Sequence, residues 1–163
     1  MTTPILSIIG KSKSGKTTLI EKLIPRLKGK GYRVGTIKHH SHPGFEIDLT
    51  GKDTWRHAQA GSDHVVISAP DKIASIRTLK QALTVDEIAG MMNDVDIILT
   101  DGFQSAAKPA IEVVRAETGL EIIGSQNQLI AIATDTPFDS PIPQIGINDI
   151  EGILLVIETQ VIL

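Results

Sequence analysis

The chain has 163 residues, a formal net charge of −3 and no cysteine. Its length predicts one domain over residues 1–163, and the lack of cysteine excludes disulfides, a thiol nucleophile and cysteine-ligated zinc or iron–sulfur sites. The slightly acidic charge and the scarcity of aromatic residues argue against nucleic-acid binding, and no apolar stretch reaches the ~18 residues of a membrane span. We therefore expect a soluble cytoplasmic protein that binds neither nucleic acid nor membrane.

The first predicted strand, residues 5–9, leads directly into a phosphate-binding loop with the pattern G-x-x-x-x-G-K-[ST]. In such a loop successive backbone N–H groups surround the phosphates of a nucleoside triphosphate, and a side chain at either glycine would obstruct them. The lysine reaches the β and γ phosphates, and the final hydroxyl ligates Mg2+. The predicted binding segment consists of Gly10, Lys11, Ser12, Lys13, Ser14, Gly15, Lys16, Thr17 and Thr18.

Apolar residues at helical spacing follow the loop and predict a helix that ends near Gly29, with a kink at Pro25. A second strand is predicted over residues 32–37, then an irregular polar loop over residues 38–51. The next elements are a short helix around residues 54–60 and a hairpin. We expect the hairpin strands, residues 64–68 and 73–77, to add an antiparallel element to an otherwise parallel sheet.

The second half of the chain continues the alternation of helices and strands. Thr84 and Glu87 form a capping-box pattern at a helix start, and a strand over residues 95–100 ends at Asp101. Further strands are predicted at 110–115, 129–133 and 144–147, and Asn148 is predicted to cap the last helix. This order predicts an α/β fold, a P-loop NTPase three-layer sandwich with a mostly parallel central sheet and an antiparallel hairpin.

Asp101 follows Ile97, Ile98, Leu99 and Thr100 at the end of a predicted central strand. In an open α/β sheet ligands bind at the carboxyl ends of the strands, so this carboxylate is expected beside Thr17, where both bind Mg2+. Gly102 would let a backbone N–H approach a γ-phosphate. Lys16 and Asp101 are therefore predicted catalytic residues.

The loop after the second strand concentrates His39, His40 and His42 beside Asp48. Three histidines within four residues could bind zinc, but no helical or strand register aims them at one point, so histidines that are solvated or contact phosphate are the favoured interpretation. Asp48 is a third predicted catalytic and metal residue, because a carboxylate in a loop of this kind positions magnesium or the attacking water.

Several segments together resemble the MobB family, the molybdopterin-guanine dinucleotide biosynthesis proteins B. They are residues 10–18, 35–39, 45–56, 60–61 and 100–103, and the resemblance covers about the first 115 residues well. It implies a GTP-binding, weakly GTP-hydrolysing protein that uses Mg2+ and forms homodimers. It also implies a role in assisting the guanylyltransferase that attaches GMP to molybdopterin, and leaves open whether molybdopterin binds this chain. Asp101 departs from the family pattern, since many members carry Glu at this position. Lys11 is placed like the signature lysine of dimeric P-loop ATPases, but that role is not assigned to it.

Base recognition and reaction class stay open at this stage. No N-K-x-D sequence is present, but Asp135 follows a late strand and could accept hydrogen bonds from the N1–H and amino edge of guanine; a simple turn residue is the equal alternative. A P-loop small-molecule kinase would need an arginine-rich lid, and the five arginines are dispersed. A non-catalytic, nucleotide-gated scaffold is the third interpretation.

Overall fold

The computed structural model describes residues 2–40, 42 and 44–163. The chain divides into two compact units, one formed by Met1–His39 with Thr84–Leu163 and the other by His40–Leu83. Among the described residues, none of the helices is both long and apolar enough to cross a membrane.

The larger unit is built on a parallel sheet of six strands. The strands are β1 (Ile5–Ile9), β2 (Val34–Lys38), β5 (Ile97–Asp101), β6 (Ala110–Val114), β7 (Leu129–Thr134) and β8 (Gln144–Gly146). Their order across the sheet is β2-β5-β1-β6-β7-β8, and every neighbouring pair is parallel. β1, β5 and β6 are buried along their whole length, as expected for strands covered on both faces.

Helices cover both faces of this sheet. The helices of the larger unit are α1 (Lys16–Gly29), α3 (Val85–Ala89) and α4 (Ile150–Ile157). Because side chains alternate along a strand, Leu6 and Ile8 of β1 join one apolar cluster with α1 and α4, whereas Ile5 joins another with α3. The result is the predicted three-layer sandwich, with the carboxyl ends of the strands free to carry a site.

The helix ends show which capping signals were correct. Thr84 and Glu87 form the predicted capping box at the start of α3. The cap of α4 is Asp149 rather than Asn148, and its carboxylate accepts a hydrogen bond from the Gly152 N–H at 3.0 Å. The prediction of Asn148 is wrong by one residue, because both residue types are good caps and only the backbone path selects between them.

The smaller unit contains α2 (Asp53–Gln59) and a hairpin of β3 (His64–Ser68) and β4 (Ile73–Arg77). The hairpin strands have the predicted bounds, and Val65 pairs with Ile76 in the antiparallel register. These two strands form a sheet of their own, so the expectation that they add to the parallel sheet is wrong. The predicted fold class, a mostly parallel sheet with an antiparallel hairpin, is confirmed.

Candidate nucleotide site

The predicted phosphate loop connects the end of β1 to the start of α1. Gly10 has φ +139°, and a Cβ at this position would lie 2.5 Å from the backbone oxygen of Val113. Gly15, directly before α1, has φ +100° in the left-handed region that side chains disfavour. Both motif glycines are therefore required by the backbone path, one by close packing and the other by its torsion angle.

Lys16 lies across this loop. Its Nζ donates hydrogen bonds to the carbonyl oxygens of Gly10 at 2.9 Å and Lys11 at 2.7 Å. Burial lowers the pKa of Lys16, the charge of Asp101 opposes that shift, and the charge of Lys38 adds to it. The two carbonyl contacts hold the ammonium group over the backbone of the predicted phosphate cradle.

Thr17 and Asp101 meet as the sequence predicts, and Lys38 joins them. The Thr17 hydroxyl donates to Asp101 Oδ2 at 2.7 Å, and Lys38 Nζ lies 2.9 Å from the same oxygen. Burial alone would raise the pKa of Asp101, but hydrogen bonds from Lys38 and Thr17, together with the charges of Lys38 and Lys16, leave it below its usual value. Asp101 is therefore held as a carboxylate beside Thr17.

Two buried oxygens at this place have unused hydrogen-bonding capacity. Within the described part of the chain, neither Asp101 Oδ1 nor Ser14 Oγ has a hydrogen-bond partner. Buried polar atoms are normally paired, so unpaired ones next to a phosphate loop are suited to a ligand. The Thr17 hydroxyl and the Asp101 carboxylate are the hard oxygen donors that Mg2+ prefers, and this donor set fits the ion.

The backbone after Asp101 is already engaged. The Gly102 N–H, predicted to approach a γ-phosphate, donates to the Ile8 carbonyl oxygen at 3.1 Å. The His39 N–H donates to the Asp101 carbonyl oxygen at 3.1 Å, and the His39 ring packs against Phe103 with centroids 4.3 Å apart. In this structure Gly102 thus contributes a tight connection between two strands rather than a free N–H.

Asp135 and Lys11 both have partners within the larger unit. Asp135 accepts hydrogen bonds from the Ala116 N–H at 3.1 Å and from Arg115 Nε at 2.9 Å, and these contacts lower its pKa. Lys11 pairs with Glu121 and also donates to the Thr118 carbonyl oxygen at 3.0 Å. Guanine recognition by Asp135 stays a prediction and would require exchange of these hydrogen bonds.

The remaining loop residues of the predicted binding segment are exposed. They are Ser12, Lys13 and Thr18. Lys13 has φ +63°, an uncommon conformation for a residue with a side chain. Their predicted role depends on backbone N–H groups that face the phosphates, and it stays a prediction.

The other predicted loop residues belong to the smaller unit. Asp48 is half-buried, and its Oδ1 accepts a hydrogen bond from the Leu49 N–H at 2.8 Å. His40 Nδ1 lies 2.7 Å from the His42 carbonyl oxygen, and the two rings are 6.0 Å apart between centroids. Within residues 2–40, 42 and 44–163, no three His, Asp or Glu side chains are grouped to hold a metal ion. The catalytic role of Asp48 stays a prediction.

Two charged residues that form ion pairs or buried hydrogen bonds here, Lys38 and Glu112, were not assigned a role from the sequence. Lys38 forms the ion pair with Asp101, and Glu112, in β6, is 1% exposed. The Glu112 carboxylate accepts hydrogen bonds from the backbone N–H groups of Ile123 at 2.8 Å and Gly124 at 2.9 Å. The sequence contains a signal for Glu112, because it is the one charged residue in an otherwise apolar strand.

Comparisons with known proteins agree on one family. The family profile described as MobB, molybdopterin guanine dinucleotide synthesis protein B, matches residues 5–135. The molybdopterin-guanine dinucleotide biosynthesis adapter protein of Haemophilus influenzae is 35% identical over 157 residues, which cover 95% of this chain and 88% of that protein. The protein of the same description from Escherichia coli is 31% identical over 156 residues, 92% of this chain and 89% of that one.

Solved structures show the same relationship. A crystal structure of molybdopterin-guanine biosynthesis protein B superimposes with a TM-score of 0.74 at 31% identity, covering 94% of this chain and 97% of that one. The Bacillus subtilis MobB crystal structure, at 24% identity and a TM-score of 0.73, supports the fold over 94% of this chain and 97% of that one. With a family profile that spans most of the chain and two relatives above 30% identity, the chain belongs to the MobB family.

Proposed function

We propose that this chain is a GTP-binding, slowly GTP-hydrolysing accessory protein in the biosynthesis of the molybdopterin guanine dinucleotide form of the molybdenum cofactor. The observation that carries the nucleotide part is the phosphate loop with Lys16 above it and the Thr17–Asp101 pair at its end. The pathway part rests on relatives named as adapter proteins of this biosynthesis. The cytoplasm is the expected location.

In the proposed site each residue has a separate task. Backbone N–H groups of residues 12–17 and the Lys16 ammonium hold the triphosphate, because both are donors to anionic oxygen. Thr17 and Asp101 hold Mg2+, which would supply neutralisation of the phosphate charge during hydrolysis. When the triphosphate binds, its negative charge attracts the Lys38 ammonium group. Lys38 then releases Asp101 Oδ2, which becomes free to bind Mg2+. Hydrolysis is slow in this proposal, as the resemblance to the MobB family implies.

Lys16→Ala tests the nucleotide proposal. Removal of the ammonium should weaken binding of GTP with Mg2+ at least tenfold, or about 1.4 kcal/mol. Lys28→Ala is the matched control, since Lys28 is an exposed lysine of the same helix. Isothermal titration with GTP and ATP measures both affinity and base preference. Equal GTP affinity in wild type and Lys16→Ala would contradict the proposal, as would a wild-type preference for ATP.

Asp101→Asn separates binding from hydrolysis. The backbone and Lys16 still hold the phosphates in this variant, so GTP affinity should change less than threefold while the Mg2+-dependent GTPase rate falls at least tenfold. Phosphate release measured over a range of Mg2+ concentrations checks this. Phosphate that appears only when a small-molecule acceptor is added would favour a kinase, and nucleotide binding without any release would favour a nucleotide-gated scaffold.

We also propose a homodimer, supported by the smaller unit. Its hairpin packs Val65 toward α2, but Val66, Ile67 and Ile73 stay 49%, 55% and 70% exposed. A two-stranded hairpin is marginally stable in water, and its open edges and apolar surface favour association with a second copy. Sedimentation should give twice the chain mass for wild type and for Leu155→Lys, a control in the larger unit, and a monomer for Ile73→Lys. A monomeric wild type at micromolar concentration would contradict this proposal.

The protein partner in the proposed function is the guanylyltransferase that joins GMP to molybdopterin. The adapter description of the relatives supports such a partner. A pull-down of purified transferase by the tagged chain, with GTP, GDP or no nucleotide, tests the interaction and its nucleotide dependence. Absence of binding in all three conditions would contradict it.

A further inference from the structure

A cavity opens beside the phosphate loop, in the larger unit. It has a volume of about 750 Å³ and lies between the loop start at Gly10 and the backbone after Asp101, at Gly102. Among the described residues that line it, Lys16, Thr17 and Asp101 are not included. The cavity thus meets the predicted nucleotide site at Gly10 and Gly102 but does not include its lysine, threonine or aspartate, and its size is that of a small-molecule site.

The lining of this cavity is polar but almost free of charge. Apart from His39, no lining residue is titratable; the polar side chains are Gln104, Ser105, Ser125 and Gln128. Amides and hydroxyls both donate and accept hydrogen bonds, so they suit a neutral ligand with both functions. Phosphates and carboxylates, in contrast, would find no lysine or arginine here.

An aromatic pair adds a flat apolar surface to the same cavity. The rings of His39 and Phe103 lie 4.3 Å apart between centroids at an interplanar angle of 34°, and both residues line the cavity. Aromatic faces favour stacked or tilted planar partners. The combination of stacking surface and neutral amides points to a planar heterocycle rather than to a flexible chain.

Another part of the cavity wall, at Ile123, is held from inside the protein. The buried Glu112 carboxylate binds the N–H groups of Ile123 and Gly124, and Gln104 Nε2 donates to the Ile123 carbonyl oxygen at 2.5 Å. A buried carboxylate is costly unless it accepts hydrogen bonds, and each oxygen of Glu112 accepts one from a backbone N–H. The cavity wall is therefore pre-organised, which lowers the entropic cost of ligand binding.

We propose that this cavity binds an uncharged, planar heterocycle with hydrogen-bond donors and acceptors, stacked on the His39–Phe103 pair beside the nucleotide. This rests on the proposed function in one respect: it takes the heterocycle to be the pterin of molybdopterin. The pyrimidine ring of this pterin is planar, and its 2-amino-4-oxo edge presents N–H donors and a carbonyl acceptor to amide and hydroxyl groups. Guanine has the same edge, so the base of the nucleotide is the competing occupant.

The test is a fluorescence titration of the whole chain with 6-hydroxymethylpterin, with and without saturating GTP and Mg2+. We expect saturable quenching with an affinity that GTP changes less than threefold and that guanosine does not abolish. Ser105→Tyr should weaken pterin binding at least tenfold, because Ser105 is exposed and a ring there fills the cavity without displacing core residues. Ser125→Tyr is a second blocking variant, and Gln126→Tyr, exposed but outside the lining, is the control.

Each other outcome overturns the proposal. Absence of saturable binding would exclude the pterin as the ligand. Competition by GTP or guanosine would identify the cavity as the pocket for the guanine base. Pterin binding weakened equally by Gln126→Tyr would indicate nonspecific adsorption to the surface. Pterin binding that survives in both Ser105→Tyr and Ser125→Tyr places the ligand elsewhere. Failure here differs from failure of the proposed function, because Lys16-dependent GTP binding is measured separately on the same protein.

Discussion

Glu112→Gln is expected to destabilise the larger unit and loosen the loop that follows β6. The wild-type carboxylate is 1% exposed and accepts one backbone N–H on each oxygen, from Ile123 at 2.8 Å and Gly124 at 2.9 Å. An amide keeps one acceptor and turns an NH2 group toward the other N–H, which leaves a buried donor unpaired. The cost of one lost charge-assisted bond with an unsatisfied donor is about 2–3 kcal/mol.

For a chain of this size, that loss should lower the melting temperature by about 4–12 °C. Thermal unfolding measures the shift, and hydrogen exchange should show faster exchange of the Ile123 and Gly124 amides specifically. Glu117→Gln is the control, since Glu117 has 77% of its side chain exposed and should change the melting temperature by no more than about 1–2 °C. Unchanged protection of both amides, with a shift no larger than that of the control, would refute the reasoning.

Gly10→Ala should be destabilised by at least about 1–3 kcal/mol, because its backbone has φ +139° and a Cβ would meet the Val113 oxygen at 2.5 Å. Gly29 lies in a helix with open space around an added Cβ, so Gly29→Ala should instead increase the free energy of unfolding by about 0.5–1 kcal/mol. Equal denaturation midpoints for the two variants would contradict the close-packing argument. Hydrogen bonds from Arg33 lower the pKa of Asp96 to about 2, so this group stabilises the fold above its ordinary pKa of 3.8 and loses that effect as pH falls toward 2. Asp96→Asn should therefore be less stable than wild type at neutral pH and equal to it near pH 2, which denaturant titrations over this range can measure; a difference independent of pH would exclude the ion pair as its cause.

The sequence predicted most of the fold because its local signals are consistent. The apolar run at residues 5–9, the glycines of the loop and the helical spacing that follows all require one strand–loop–helix unit. The hairpin bounds were also predictable, since its two strands are adjacent in the chain. Its sheet membership was not, because strand pairing over long distances is decided by packing that a local pattern does not contain.

The parts of the site that belong to a sequence motif were predictable, whereas contacts made only in the folded structure were not. Thr17 and Asp101 were expected together, and a hydrogen bond of 2.7 Å joins them. The role of Lys38 was not foreseen, because its partner lies on a strand paired with its own only in three dimensions. The hydrogen-bond partners of Asp135 could not be predicted from the sequence either, since Arg115 and Ala116 lie at the end of a neighbouring strand.

The central position of β1 has a consequence for how the protein is made. β1 pairs with β5 on one side and β6 on the other, so residues 10–96 separate it from its first partner. A ribosome adding about 5–20 residues per second needs ~5–20 s after Ile9 before Val114 is synthesised. Until Asp101 has been added, the apolar segment Ile5–Ile9 has neither of its partners, whereas the hairpin can close as soon as Arg77 has emerged. Nascent chains are therefore expected to need protection of their first strand, and the phosphate loop takes shape late, only when both neighbours of β1 have arrived.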